Sequence, residues 1–385
     1  MSKLIETLSA DFVTRYARDL YHCSSCNYCV DAVWPERGMQ GVCATMEQHT
    51  RAPGYSGRGY IEAARAIIEG QALDGAALAE RVFTCTTCGN CETVCPIGLR
   101  PASVGRALRE ELLAADCLPA PLAAARDSFI AHGNPYGLPR AQRHAWAAAL
   151  EHGEAADLTL FAGCAAALPA GEEAQASHAL LRSAGIAVRV ATDACCGAPL
   201  NELGLRGEGE ALARAALARL DASAVLVAGC ECRQQLHSVG LASRSIAGWL
   251  CAAHAEGSLA LRWKDAVTRP AAVQLIESCQ LKRDTGDADE AAVAALFKAL
   301  GMVLLNADFP NRQAGCCGAA GGMPAMAPTS AARMARARLP QAGVAVSLDA
   351  RCASHLRTGA EEGVEVLGFA SFVARYFDVA KSSAS

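Results

Sequence analysis

The stretch FTCTTCGNCETVCPIGL, residues 83–99, decides how the N-terminal part of this chain folds. Cys85, Cys88 and Cys91 follow one another at intervals of three residues, and a fourth cysteine, Cys95, precedes a proline. Three thiolates with this spacing bind one iron–sulfur cubane, whereas the cysteine before proline ligates the other cluster in two-cluster ferredoxins. Zinc sites usually pair two CxxC motifs across a long gap. The spacing therefore favours [4Fe–4S] clusters over zinc.

A second cysteine triple, HCSSCNYC at residues 22–29, lies upstream and predicts the partner cluster. No cysteine–proline pair follows Cys29, and the next cysteine is Cys43, within GVCATM. We interpret Cys43 as the displaced fourth ligand; the alternative is that it is an ordinary buried thiol. Cross-ligation then predicts one cluster on Cys23, Cys26, Cys29 and Cys95, and the other on Cys43, Cys85, Cys88 and Cys91.

The C-terminal half contains an internal repeat. From about residue 157, short Leu-rich or β-branched runs alternate with Ala-rich stretches, a texture typical of βα units. In each copy a predicted strand ends at a cysteine, a Cys-Cys-Gly (CCG) sequence follows, and another cysteine comes after it. The strands are predicted near residues 157–161, 186–190, 223–228, 271–276, 302–305, 343–347 and 364–367.

This order, a two-cluster ferredoxin domain followed by two CCG domains, resembles the heterodisulfide-reductase family. Its close relatives include the iron–sulfur subunits of glycolate oxidase, lactate utilisation and anaerobic glycerol-3-phosphate dehydrogenase. The resemblance implies that a CCG domain can hold a non-cubane iron–sulfur cluster through one cysteine, the CCG pair and a final CxxC. The implied ligands are Cys164, Cys195, Cys196, Cys230 and Cys232 in the first copy, and Cys279, Cys316, Cys317, Cys352 and His355 in the second.

Both copies depart from the family pattern. Cys232 lies one residue too early after Cys230, and His355 stands where the second copy should have its last cysteine. On a helix Cys230 and Cys232 would diverge by about 200°, whereas Cys352 and His355 would share one face. The second copy is therefore the better candidate for a cluster, although Cys232 and His355 could equally be packing or surface residues.

The predicted fold class is a multidomain α+β protein. An α-helical, ferredoxin-like domain with two [4Fe–4S] clusters is expected over residues 1–152. Two tandem α/β CCG domains follow, over 153–265 and 266–385. Helices are expected over residues 1–22 and 60–80, and again from the second cysteine cluster to about residue 152.

Composition limits the classes of function. The 19 cysteines are an odd number and do not suit a secreted disulfide scaffold, and the N-terminus lacks an apolar signal core. We therefore expect a cytoplasmic protein, in contact with the inner face of the membrane at most peripherally. The net charge of −4 and the absence of a basic cluster argue against a nucleic-acid partner.

The sequence predicts an iron–sulfur electron-transfer subunit. We expect it to pass electrons between an FAD-linked dehydrogenase and a quinone or another carrier. A 2-hydroxy acid is one candidate substrate of the dehydrogenase. A separate flavoprotein is expected because no flavin or nicotinamide fingerprint is legible in the chain. The alternative is a heterodisulfide-reductase-like catalytic subunit in which a non-cubane cluster acts on a disulfide or sulfur substrate. An iron–sulfur sensor or scaffold is the third class considered.

Overall fold

The computed structural model describes residues 3–31, 41–148, 150, 156–168, 171–191, 195–220, 224–285, 288–305 and 315–382. The chain divides into two compact units, each discontinuous in sequence. The first unit comprises Met1–Asp127, Pro199–Gly207 and Arg312–Arg338. The second comprises Ser128–Ala198, Glu208–Asn311 and Leu339–Ser385. The predicted domain boundaries after residues 152 and 265 stay predictions.

Helices are the commonest elements of the described residues. They are α1 (Ala10–Tyr21), α2 (Tyr28–Asp31), α3 (Gly57–Ile68), α4 (Gly75–Phe83), α5 (Asn90–Thr93), α6 (Pro101–Ala114), α7 (Ala120–His132), α8 (Arg140–Ala145), α9 (Gly163–Ala167), α10 (Glu172–Ser183), α11 (Ala198–Glu202), α12 (Arg206–Leu217), α13 (Cys230–Ser238), α14 (Ile246–Ala255), α15 (Cys279–Thr285), α16 (Ala288–Ala299), α17 (Met323–Met326), α18 (Pro328–Arg336), α19 (Ala350–Leu356) and α20 (Phe369–Tyr376).

In the part of the chain that the structure describes, the strands are short and form four small sheets. They are β1 (Leu4–Ile5), β2 (Leu73–Asp74), β3 (Leu158–Phe161), β4 (Val188–Ala191), β5 (Val225–Val227), β6 (Arg244–Ser245), β7 (Leu259–Trp263), β8 (Val273–Ile276), β9 (Gly343–Ser347), β10 (Val364–Gly368) and β11 (Phe377–Lys381). The predicted fold class, helical N-terminal residues followed by two α/β repeats, is confirmed.

The first unit is built on packed helices. Helix α3 packs against α6 and α1, and α4 packs against α6. Phe12, Tyr60, Phe83 and Leu108 are fully buried between them. The predicted helix over residues 1–22 begins only at Ala10, because Leu4–Ile5 pair antiparallel with Leu73–Asp74. The same pairing divides the predicted helix over 60–80 into α3 and α4.

The segment Arg312–Arg338, which contains the second CCG sequence, packs within the first unit. Helix α17 lies against α4, and α18 lies against the π-helical turn Met46–Thr50. His49 Nδ1 is 3.0 Å from Ser330 Oγ, and Arg333 Nε donates to the carbonyl oxygen of Gln48 at 3.0 Å. Through these bonds the segment contacts the turn that follows Cys43.

The second unit contains two parallel sheets with the same strand order. The first sheet runs β4-β3-β5-β6. The second runs β10-β9-β8, and a single parallel bridge joins Val273 of β8 to Leu304 on its other side. Each copy therefore places its first strand between its second and third strands. This shared topology supports the repeat read from the sequence, although the strand predicted near 302–305 is reduced to one bridge.

An antiparallel ribbon that the sequence analysis missed also belongs to the second unit. Strand β7 pairs with β11, with Phe377 opposite Trp263. The two rings lie 4.3 Å apart, and Phe372 packs beside them. The ribbon joins residues that follow the first copy to the end of the second copy.

The helices that begin near the strand-end cysteines pack in pairs across the two copies. Helix α9, which carries Cys164, packs against α19, which carries Cys352. Helix α13, which begins at Cys230, packs against α15, which begins at Cys279. All four cysteines are buried.

Over the ranges that the structure describes, no helix combines the length and the apolar character needed to cross a bilayer.

Candidate iron–sulfur sites

The two CxxCxxC loops share one backbone conformation. Ser25 and Asn27 in the first loop have φ of 54° and 67°, and Thr87 and Gly89 at the matching positions have φ of 55° and 76°. Positive φ is uncommon for residues other than glycine and costs free energy, so its persistence marks sites where the surroundings impose it. Both loops therefore turn back on each side of their middle cysteine, as expected for loops that wrap a cluster.

The first group of cysteines surrounds an open pocket. Cys95 lines this pocket together with the upstream triple, Cys23, Cys26 and Cys29. Cys26 is exposed and the other three are half-buried. The structure thus brings together the four cysteines that cross-ligation assigns to one cluster, while their ligation stays a prediction.

Backbone amides are directed at the sulfurs of this first group. The Leu99 amide donates to Cys95 Sγ at 3.3 Å, and the Arg58 amide donates to Cys29. Burial, followed by the neighbouring Cys23, raises the pKa of Cys29 to about 11. Such a thiol is protonated at neutral pH, so metal binding would release its proton.

The second group contains Cys43 and the triple at Cys85, Cys88 and Cys91. Cys43 is close enough to Cys85 and Cys88 to interact with them electrostatically, and Cys91 interacts in the same way with the other three. Burial raises the pKa of Cys43, Cys85 and Cys91. The arrangement matches the predicted grouping of Cys43 with the downstream triple.

Hydrogen bonds hold the Cys43 segment against the Cys85 loop. Thr45 Oγ1 donates to the carbonyl oxygen of Thr84 at 3.4 Å, and both residues are buried. The Thr87 amide donates to Cys85 Sγ at 3.3 Å, and the hydroxyl of the buried Tyr60 is within hydrogen-bonding reach of the same sulfur. Cys85 therefore lies in a preformed polar environment.

The donor set fits [4Fe–4S] clusters. Each group offers four thiol donors with amide N–H groups aimed at sulfur, the ligation and hydrogen bonding that tune such clusters. In the part of the chain that the structure describes, no three His, Cys, Asp or Glu side chains converge on a position for a single metal ion.

The first CCG copy gathers three of its five cysteines. Cys196 is within hydrogen-bonding reach of both Cys195 and Cys232, and this contact together with burial raises the pKa of Cys196 well above its usual value. Cys232 and Cys196 pack in one hydrophobic cluster, whereas Cys230 belongs to another. Both Cys230 and Cys232 lie on α13, so they diverge as a helix requires.

Cys230 instead contacts residues of the second copy. Ser278 Oγ donates to Cys230 Sγ at 3.4 Å, and the Cys230 amide donates to Asp349 Oδ2 at 2.8 Å. Asp349 is buried and also caps α19 by accepting the Cys352 amide at 2.8 Å. Cys164, the first cysteine of the first copy, lies near Tyr136. The sequence analysis identified neither Asp349 nor Tyr136.

The second CCG copy divides between the two units. Cys316 and Cys317 lie in the first unit, and Cys279, Cys352 and His355 lie in the second. Cys352 and His355 are on α19, one turn apart, as the sequence analysis expected of a helical segment. Cys279 begins α15 and is buried. Whether these residues bind iron stays a prediction.

The glycine of each CCG sequence faces the backbone of a following helix. Gly197 has φ of 77°, and a Cβ there would lie 2.8 Å from Gly209 Cα in α12. Gly318 has φ of 90°, and its Cβ would lie 3.0 Å from the Ala331 carbonyl oxygen in α18. A larger residue at Gly197 would have to displace the backbone of α12, whereas at Gly318 the contact is tight and the positive φ adds strain. Both positions therefore favour glycine independently of a cluster.

The chain matches two known protein-family models. The model of the 4Fe-4S dicluster domain matches residues 18–99. The model of the cysteine-rich CCG domain matches twice, over residues 158–237 and 273–357.

No curated protein and no solved structure matches the chain. The family matches cover the two cysteine loops and both repeats that the structure describes. The chain therefore belongs to the CCG-domain iron–sulfur proteins and has an iron–sulfur electron-transfer role.

Proposed function

We propose that this protein is the electron-transfer subunit of an oxidoreductase complex. Cys23, Cys26, Cys29 and Cys95 would hold one [4Fe–4S] cluster, and Cys43 with the Cys85 triple would hold another. When bound, these clusters would supply one-electron exchange, at potentials set by charge, hydrogen bonds to sulfur and exposure to solvent. The observation that carries the proposal is the assembly of eight cysteines into two groups of four.

The exposed edge of the first group supports a docking position for the electron donor. Cys26 is exposed, and Tyr28 and Ile97, which line the same pocket, are 57% and 47% exposed. Apolar residues around a thiol open to solvent suit the small, transient interfaces of redox partners. The partner in this proposal is an FAD-linked dehydrogenase, and its substrate class would be a 2-hydroxy acid.

The second group lies next to the second CCG segment within the first unit. The Gly321 amide donates to Glu202 at 3.1 Å, and a Cβ on Gly321 would lie 2.8 Å from Thr86 Cα. Cys316 and Cys317 precede Gly321 by only a few residues. This proximity supports a route for electrons from the second group toward Cys316 and Cys317, with a quinone or another carrier as the final acceptor.

Iron content and visible absorption of protein purified without oxygen test the proposal. We expect about eight iron atoms per chain for two cubanes, with more iron if a CCG site is filled. Zinc in place of iron, with no iron–sulfur absorption, would overturn the proposal.

Electron exchange separates this function from the reductase alternative. The purified chain should be reduced by a flavoprotein dehydrogenase while it acts on no small organic substrate by itself. Rapid reduction of a disulfide by the chain, with an artificial electron donor, would instead establish the heterodisulfide-reductase-like activity. The separation of Cys230 from Cys232 counts against that alternative in the first copy.

A further inference from the structure

Arg109 is a fully buried cation in the first unit. It projects from α6 with no exposed surface. Its Nη2 atom donates to the carbonyl oxygens of Cys85 and Val82 at 2.6 and 2.9 Å, and its Nη1 donates to the carbonyl oxygen of Glu202. Its guanidinium carbon lies 5.1 Å from the centre of the Phe83 ring. These contacts hold the cation beside the second cysteine group.

The hydrogen-bond partners of Arg109 are neutral. They are three backbone carbonyls, and among the described residues no carboxylate forms a salt bridge with this guanidinium. Moving an unpaired ion out of water costs several kcal/mol, even after the protein relaxes around it. A buried charge of this kind calls for a negative group nearby.

The second cysteine group would provide that negative charge when it binds metal. Its cysteines lie within electrostatic range of one another, and the carbonyl oxygen of one of them, Cys85, accepts a hydrogen bond from Arg109. Metal ligation requires thiolates. A cubane with four thiolate ligands carries a net negative charge, which increases on reduction.

The first cysteine group has a different electrostatic environment. Arg58 is a cation that lines the pocket of this group, and its Nε atom is 2.6 Å from Glu62 Oε1. Both side chains of this pair are partly exposed, at 27% and 37%. Solvent and Glu62 therefore screen the charge of Arg58, whereas Arg109 has no exposed surface and Glu202 acts on it without a salt bridge among the described residues.

We propose that Arg109 is the electrostatic counter-charge of the cluster on Cys43, Cys85, Cys88 and Cys91, and that it raises the reduction potential of that cluster. A buried positive charge stabilises the more negative, reduced state, and its effect is large because the local dielectric is low. The inference rests on the proposed function, since it requires iron at this second group.

A redox titration of the full chain, monitored by paramagnetic resonance, tests the inference. Arg109→Gln should make one of the two centres harder to reduce by at least tenfold, about 59 mV for a one-electron couple. Arg109→Lys keeps the charge and should shift the same centre less than threefold. Arg106→Gln, which removes a charge from the same helix without these contacts, is the matched control and should leave both centres within threefold.

Glu202→Gln provides a test of opposite sign. Its carboxylate accepts the Gly321 amide and acts on Arg109 electrostatically, while Arg109 itself binds the backbone carbonyl of Glu202. The variant therefore keeps the Arg109 contacts and should make the same centre easier to reduce. Glu202→Gln therefore tests the role of Arg109 even if Arg109→Gln assembles no iron–sulfur cluster.

The outcomes separate the inference from the proposed function. A wild-type chain without two reducible iron–sulfur centres would refute the proposed function. Two results would overturn the role of Arg109 alone, provided that the wild-type chain has two normal centres. The first is an equal shift of the reduction potential in Arg109→Gln and Arg109→Lys. The second is an unchanged reduction potential in both Arg109→Gln and Glu202→Gln.

Discussion

Gly321→Ala would test the packing of the second CCG segment on the Cys85 loop. Gly321 has φ of 71°, and a Cβ would overlap the Cys85 carbonyl oxygen and lie 2.8 Å from Thr86 Cα. Positive φ costs a residue with a Cβ about 1–2 kcal/mol. Overpacking against rigid backbone adds about 1–3 kcal/mol. We therefore expect the first unit to lose about 2–5 kcal/mol of its free energy of unfolding.

Gly70→Ala is the matched control for this substitution. Gly70 lies in the same unit with φ of 87°, and a Cβ there would meet no atom within 4 Å. Gly70→Ala therefore has the same conformational cost of a positive φ as Gly321→Ala. It also restricts the unfolded chain to the same extent, but its Cβ overlaps no other atom. The difference between the two variants isolates the contact with the Cys85 loop, at about 1–3 kcal/mol.

The assay is urea denaturation of the iron-loaded chain, followed by visible absorption and by far-ultraviolet circular dichroism. Gly321→Ala should lose the visible absorption at a lower urea concentration than Gly70→Ala. Equal midpoints for the two variants would refute the reasoning, since the overlap would then cost nothing.

Three further predictions follow from the cysteine groups and one buried carboxylate. Cys43→Ala should lower the iron content from about eight to about four atoms per chain. Cys117→Ala, which lies outside both groups, should keep the full iron content. Full iron content in Cys43→Ala would show that Cys43 is an ordinary thiol. In the iron-free chain, a mild thiol oxidant should link Cys196 to Cys232, because the thiols are within hydrogen-bonding reach, and peptide mapping without this link would contradict the arrangement. Burial raises the pKa of Glu290 from 4.5 to about 7. Ionisation of this carboxyl is therefore less favourable in the folded chain than in the unfolded chain, and the free energy of unfolding falls as the pH rises from 4.5 to about 7. Glu290→Gln should remove this loss, worth about 3 kcal/mol, and parallel stability curves for variant and wild type would disprove it.

The local features of the sites were predictable from sequence. Ligand spacing is a short-range property, so the two triples and the displaced Cys43 could be grouped before any fold was known. The divergence of Cys230 and Cys232 also followed from helical geometry alone. Most strands of the two repeats were predicted for a similar reason, because their apolar runs are continuous in the chain, whereas the strand predicted near 302–305 is reduced to one bridge.

Long-range contacts were not predictable in this way. Arg109 lies in a helix sequence with no motif, and only packing places it on the Cys85 carbonyl. The pairing of β7 with β11 joins residues more than a hundred positions apart, and neither strand carries a turn or cysteine signal. Asp349 could have drawn attention, because it follows a buried strand and precedes Cys352 at a capping distance.

The packing of the cysteine-bearing helices across the two copies suggests how the repeat evolved. The first cysteine helix of each copy meets the last cysteine helix of the other, as α9 meets α19 and α15 meets α13. Reciprocal contacts of this kind are the pattern that a twofold axis produces in an isologous dimer. A protein with only one copy could form the same contacts by pairing with itself. The covalent duplication would then have joined two formerly identical subunits, after which the sequences of the two halves could diverge, as the residues that follow Cys230 and Cys352 illustrate.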